Sequence, residues 1–355
     1  MKNATYMLRV FGHNKKPAVG MDAFRAGRYE RDGVQQCWNF YWDGNFSSRD
    51  GLKRQSVIDY GHILWGRGSG AMGVGSAVGV LSGGVNIIDA DIPMIASGGQ
   101  IYTLIENNTT YRVHLFAQSG VFSITEFGSN HEMNTLECLV VAGGGGAGKN
   151  TRGGGGGGAG GVLIDNFIAS NQTYDVVIGN GGNGAEGATG NGDFGEDSSI
   201  GSLVAIRGGR GSLYTGGSGG SGGGGGSDQS SGWSGGSGTL GQGNDGGAGR
   251  FNTWGGGGGG AGSAAGRPSA GAGIDISASF GSNVGVDGWV GGGGAGGVTN
   301  LDSFISGGTG GGGGSNQDGV DGTGGGGGGR LQSNDYCGKG GRGVVAVRYK
   351  LFTQE

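Results

Sequence analysis

Apolar and polar positions alternate most regularly between residues 100 and 142. Four runs rich in Val, Ile, Tyr, Phe and Thr (100–104, 111–116, 121–127 and 136–142) are separated by Asn-Asn, Ser-Gly and Gly-Ser-Asn. β-favouring runs punctuated by turn residues predict four strands. Tyr111, Val113 and Leu115 alternate with Arg112, His114 and Phe116, which suits an antiparallel sheet with one packed face. His114 is then expected at the surface or half buried, because no second His, Cys or carboxylate stands at metal-ligand spacing. Shorter apolar runs recur at 162–164, 174–178, 203–206 and 344–347. Towards the N-terminus, residues 6–11 (YMLRVF) and 57–64 read as short strands in an irregular β region. Residues 37–46 hold five aromatics, which fit either a sugar-stacking platform or, more simply, a small sealed core. Residues 66–84 alternate Gly with Ala, Val, Met and Ser, a pattern open to close backbone contact or to a loop.

Composition changes this picture sharply. Of 355 residues, 100 are glycine, and glycine disfavours a helix interior by about 0.8–1.0 kcal/mol each. A mainly β chain with almost no α-helix is therefore expected. Collagen is excluded, since only 3 prolines accompany the glycines. With 14% charged residues and a net charge of −4, a basic nucleic-acid binder finds no support. Cys37, Cys138 and Cys337 fit neither a zinc site nor a disulfide framework and read as reduced. Residues 1–11 lack the apolar centre of a secretion signal, and the stretch 71–81 is too short to span a bilayer. No membrane insertion is expected.

The glycines are unevenly placed: 17 lie in residues 1–100, two in 101–142 and 81 in 143–343. Three parts follow, with residues 1–99 as an irregular β N-terminal region and 100–142 as an antiparallel insert. Residues 143–355 form a glycine-rich domain closed by a strand at 344–349. Glycine runs recur at 143–146, 153–158, 222–226, 255–260, 291–294, 310–314 and 324–329. A tract of this kind is either a flexible coil or a bundle of polyglycine II helices. Such helices have three residues per turn and no internal hydrogen bonds, so each N–H and C=O must find a neighbouring chain. A six-residue run makes about two turns, roughly 19 Å. Ordered packing is favoured, because the spacers carry apolar strands and large aromatics that disordered tracts lack.

Several glycine patterns imitate chemistry. Residues 143–150 (GGGGAGKN) nearly match a phosphate-cradling loop, but Asn150 replaces the Ser or Thr that holds magnesium, and six glycines follow instead of a helix. The G-x-G-x-x-G matches open no amphipathic helix. Asp193, Asp245 and Asp318 do not repeat as calcium-binding nonapeptides would. No G-x-S-x-G elbow is present, and His13, His62, His114 and His131 all lie outside the glycine tract. No enzyme, cofactor or metal site is expected.

The order of elements resembles a known family. Residues 111–116 (YRVHLF), 120–125 (GVFSIT) and 136–148 (LECLVVAGGGGAG) come first, then 157–163, 174–182 and 195–199. The set closes with residues 340–349 (GGRGVVAVRY), and together it resembles the glycine-rich domain of bacteriophage tail proteins over roughly 100–350. The resemblance implies a tail-fibre adhesin whose polyglycine II bundle presents variable loops to a bacterial receptor, protein or glycan. It does not reach residues 1–99, which by position would join other virion tail proteins. The chain would be made in the host cytoplasm and reside in the virion tail. Glycine staves carry no side chains, so recognition falls to the loops. Tyr214, Trp233, Phe251, Trp254, Trp289 and Tyr336 are the candidate receptor contacts, with Asn244, Asn252, Gln317 and Asn334 nearby. Each ring could instead cap the bundle. A passive capsid or tail decoration and an ice-binding bundle are the rival readings, and a homotrimer and a monomer fit equally.

Overall fold

A computed structural model describes strands 27–31, 34–38, 56–58 and 87–89 together with residues 91–299, 304–330 and 336–353. Contacts divide the chain into Met1–Ile92 and Pro93–Glu355. In the first unit, β1 (Gly27–Arg31) pairs antiparallel with β2 (Val34–Trp38), and β3 (Ser56–Ile58) with β4 (Ile87–Asp89). The expected strand at 6–11, the rest of 57–64, residues 39–46 of the aromatic cluster and the stretch 66–84 lie outside the described residues.

The second unit contains a β-sandwich. Its inner sheet runs β10 (Val162–Ile168), β9 (Thr135–Val141), β16 (Val344–Thr353), β7 (Thr109–Phe116), β6 (Gln100–Glu106). Its outer sheet runs β13 (Leu203–Ala205), β12 (Ser198–Ile200), β11 (Thr173–Val177), β8 (Gly120–Glu126), β5 (Ile95–Ser97). All pairings are antiparallel. Phe122, Ile124, Val176 and Ile200 of the outer sheet pack on Leu136, Cys138, Val140, Val345 and Val347 of the inner one. Each such side chain, fully buried, contributes about 1.5–3 kcal/mol.

The mainly β class is as the sequence predicts, and the four runs in 100–142 do form β6 to β9. Two expectations are corrected. The four strands do not share one sheet, since β8 crosses to the outer sheet. Nor has the inner sheet a single packed face. Val113, Leu139, Val141, Val344 and Ala346 on its other side pack against Ile276, Phe280, Val284 and Val290. These belong to a small lobe of β14 (Ile274–Asp275), the four-residue helix α1 (Ser277–Phe280) and β15 (Trp289–Val290). Burial on both faces is why β16 is an unbroken apolar run from Val344 to Val347. Arg348 ties the lobe to the sheet. Its guanidinium meets Glu106 and Glu137 at 2.7 Å, donates to the Ser279 carbonyl and lies over the Tyr111 and Phe280 rings.

His114 is also corrected: it is fully buried between the sheets. Its Nδ1 lies 2.8 Å from the Gly98 carbonyl, which fixes the proton on Nδ1, and its ring packs against Phe122 and Tyr349. Burial lowers its pKa, with Arg112 adding to the effect against the Gly98 hydrogen bond. The sequence pattern fails here because a buried strand can hold a histidine once its ring nitrogen has a carbonyl to meet.

Beyond the sheets, hairpins continue as glycine staves. The β9–β10 pair runs on through Ala142 into staves 143–148 and 153–161. Along the first of these, N–H donors select partners with a period of three. Gly143, Gly146 and Lys149 donate to Glu196, Asp193 and Gly190; Gly144 and Ala147 to Gly341 and Gly338; Gly145 and Gly148 to Gly158 and Gly155. Stave 153–161 is central. It donates to segments 206–212, 256–259 and 324–327, and accepts from 142–148, 221–224 and 294, so six neighbours surround it. A Cβ on Gly155 would lie 1.8 Å from the Gly224 carbonyl oxygen, so this close approach admits glycine alone. Ala147 and Ala159 are the buried exceptions. The run 310–314 departs furthest from the straight-stave expectation, opening as a turn with Gly310 and Gly311 at φ +87° and +88°. Runs 291–294 and 324–329 each open on a single such glycine, Gly291 at +74° and Gly324 at +63°.

Outer staves lack neighbours on one side, and side chains complete their hydrogen bonding. Asp197 accepts from Arg207 N–H, Asp245 from Gly238 N–H, Asp318 from Lys339 N–H and Asp321 from Arg342 N–H. Asp245 and Asp318, unreadable as calcium ligands, thus cap the bundle. An unsatisfied buried donor would cost about 1–3 kcal/mol.

Candidate functional site

The staves carry their connections at two ends. One end joins the sheets, and the far end gathers turns that are laced together. Lys149 and Gly190 exchange backbone hydrogen bonds, and Asn150 Nδ2 donates to the Leu213 carbonyl at 3.0 Å. Asn191 Oδ1 accepts from Ser212 Oγ and Leu213 N–H. Ser227 N–H reaches the Gly153 carbonyl, Asn252 N–H the Asp228 carbonyl, and Val298 N–H the Arg330 carbonyl. Seven separate stretches of chain, at 149–153, 190–191, 212–213, 227–228, 252, 298 and 330, therefore meet at this end.

Five of the six candidate aromatics sit on these far turns. Tyr214 and Trp233 pack edge to face with centroids 5.0 Å apart. Tyr214 remains 51% exposed and Phe251 56%, so both rings offer apolar area to a partner. Phe251 leads into a tight turn where Asn252 adopts φ +52°. Trp254 is half buried beneath the Arg250 guanidinium, 5.1 Å from its ring centre. Tyr336 donates its hydroxyl to Asp318, and burial together with that carboxylate pushes its pKa up to about 12. Trp289 is elsewhere. It lies in β15, paired with Asp275, at the sheet end of the bundle. The structure thus brings five rings to one end and separates the sixth.

Asp228 organises the turn that aims Trp233, and the aromatic pattern alone misses it. Its carboxylate accepts from Ser230 Oγ, the Ser230 and Ser231 N–H groups, and Trp233 Nε1 at 3.3 Å. Those hydrogen bonds, the Ser230 hydroxyl foremost, hold its pKa down to about 2. The signal was present as Asp-Gln-Ser-Ser, a side-chain-to-backbone turn. Of the polar neighbours named from sequence, Asn252 is at the far end. Asn244 instead donates to the Gly260 and Ala261 carbonyls near the sheets. Gln317 N–H closes a turn onto the Gly314 carbonyl, and Asn316 N–H within that turn reaches the Gly329 carbonyl beside Arg330, so Gln317 is at the far end too. Asn334 lies outside the described residues.

Beside Tyr336 a groove of about 590 Å³ runs between Lys149, Glu186 and Lys339. Lys149 closes the phosphate-loop imitation at 143–150. Every N–H from Gly143 to Lys149 is donated to another stave, which leaves none to cradle a phosphate. Among the described residues no group of three or more His, Cys, Asp and Glu is placed to hold a metal ion. No helix of the described residues is long and apolar enough to cross a membrane.

A family model described as a glycine-rich domain matches residues 119–350. No curated protein matches the chain.

Proposed function

The chain belongs to the glycine-rich domain family, and from that premise we propose that it is a bacteriophage tail-fibre or tail-tip adhesin. In this reading the staves are polyglycine II helices, a reading supported by partner selection every third residue and by six neighbours around stave 153–161. The bundle is a rigid mount, and the far turns contact a receptor on the bacterial surface. The region before residue 93 joins the other tail proteins. One observation carries the proposal: Tyr214, Trp233, Phe251, Trp254 and Tyr336 converge on the end of the bundle remote from the sheets. Rings with two rotatable bonds give contact area at small entropic loss, as in antibody loops. Asp228 and Arg250 fix two of them in place before any partner arrives.

The test is binding of purified, labelled protein to a panel of bacterial strains. The expected result is saturable binding to some strains and not others. Tyr214→Ser with Phe251→Ser should weaken it at least tenfold while the circular dichroism spectrum stays unchanged. Binding to no strain, or equal binding by the double variant, overturns the reading.

A further inference from the structure

The four edges of the sandwich are not treated alike. On the outer sheet, β5 and β13 are three residues long. β5 carries a register shift at Ile95/Ala96, and β13 is covered by Gln242, which bonds the Val204 carbonyl and Ile206 N–H. On the inner sheet, β10 holds Asp165 and Asn166 at its centre, and the Asp165 carboxylate takes the Asn166 N–H. Short strands, bulges, charges and covering side chains are the devices that stop one sheet edge from pairing with another.

β6 has none of them along its length; its one charge, Glu106, stands at its last position and is paired with Arg348. It runs seven residues, Gln-Ile-Tyr-Thr-Leu-Ile-Glu, in uninterrupted register with β7. No Lys, Pro or bulge interrupts it, and Ile101 and Ile105 are 48% and 61% exposed. Among the described residues, no backbone group of β6 bonds beyond β7. Its sequence is also self-complementary. With Thr103 on a two-fold axis perpendicular to the sheet, antiparallel pairing aligns all seven residues with a second copy. Ile101 then faces Ile105 of the other copy, Tyr102 faces Leu104, and Gln100 faces Glu106, so no like charges oppose each other. Registers centred on Tyr102 or Leu104 align fewer residues and split the isoleucine pairs.

We propose that β6 pairs with β6 of a second copy of this chain, joining two inner sheets into one ten-stranded sheet about a two-fold axis at Thr103. The four isoleucines then form one apolar patch on one face, and the interface is isologous, as two-fold dimers require.

The test uses the full chain in sedimentation equilibrium and a cysteine cross-link. Mass should be twice the 34.8 kDa of one chain and fall to one chain in Ile105→Lys, with circular dichroism unchanged. Residues facing each other across an antiparallel pair have Cα atoms about 4.5–5.5 Å apart, inside disulfide range. Thr103→Cys should therefore form a covalent dimer under copper–phenanthroline oxidation. Ile101→Cys alone should not, because its own counterpart is four residues away. A single-chain mass at every concentration overturns the proposal. So does an assembly that persists in Ile105→Lys and does not cross-link through Thr103→Cys. Strain binding is read separately, so failure of the adhesin reading leaves this result standing.

Discussion

The β9–β10 hairpin passes through two kinds of interior within one chain. From Glu137 to Val141 its β9 strand has β10 on one side and β16 on the other, and side chains such as Leu139 and Val140 fill the space above and below. Past Ala142 the same two segments enter the bundle, where stave 153–161 has six neighbours and main-chain atoms fill the space. In the sandwich, density comes from interlocking side chains, and hydrogen bonds run in one plane. In the bundle, density comes from having no side chains, and hydrogen bonds radiate in all directions. The first interior is specified by shape. The second is specified by absence, so the two should respond oppositely to a change of one methyl group.

The largest effect is expected in the bundle. Gly155→Ala places a carbon 1.8 Å from the Gly224 oxygen and forces the central stave away from segment 221–224. A loss on the order of 5 kcal/mol or more is expected, comparable to the whole stability of a domain. Thermal unfolding and soluble yield measure it, and a melting temperature near that of the parent would break the comparison. Next comes the sandwich, where removal rather than addition is harmful: Phe122→Ala should cost about 3–5 kcal/mol by denaturant titration. A third variant separates space from conformation. Gly241 has φ +80° with nothing within 4 Å of an added Cβ, so Gly241→Ala meets only backbone strain, about 1–2 kcal/mol. If Gly155→Ala and Gly241→Ala proved equally harmful, close approach would not be what the stave glycines supply.

The smallest effect concerns pH. Burial keeps His114 neutral, with its pKa below the ordinary 6.5 or so, and the unfolded chain therefore binds the proton more readily. Stability contributed by neutral His114 is complete above about pH 6.5 and declines as pH falls towards the folded-state value, by at most about 1.4 kcal/mol per pH unit. Arg112 on the same strand sharpens the loss, and Tyr349 opposite is uncharged in this range. Urea midpoints between pH 7 and 5 should fall in the parent and fall less in His114→Gln. Parallel slopes would remove His114 as the cause.

The sandwich strands were legible because alternation and turn residues are local signals: β6, β7, β8 and β9 fall where the pattern places them. Their distribution between sheets was not, because β8 differs from its neighbours only in its partners, and partners come from far along the chain. His114 was misread for a related reason. Its strand is covered on both sides, and the carbonyl that accommodates its ring belongs to Gly98. In the bundle, glycine runs marked the staves, but a run does not state whether it goes straight or turns, as Gly310 and Gly311 demonstrate. The six aromatics were recognised as a set without knowledge of which end each occupies. Counting staves outward and back is what sends Trp233 to the far end and leaves Trp289 beside the sheets. Asp228 was hidden in plain view, since its importance lies in one indole N–H five residues on.

The lacing of staves also has a mechanical side. Antiparallel hydrogen bonds lie across the stave direction. A pull applied at the far turns and resisted at the sheets therefore runs along the staves and loads those bonds in shear, many at once. Peeling, which breaks bonds one after another, requires a sideways force on an outer stave. There Asp197, Asp245, Asp318 and Asp321 pin the rim. The bundle is thus stiffest along its length, the direction in which tension on its tip would act.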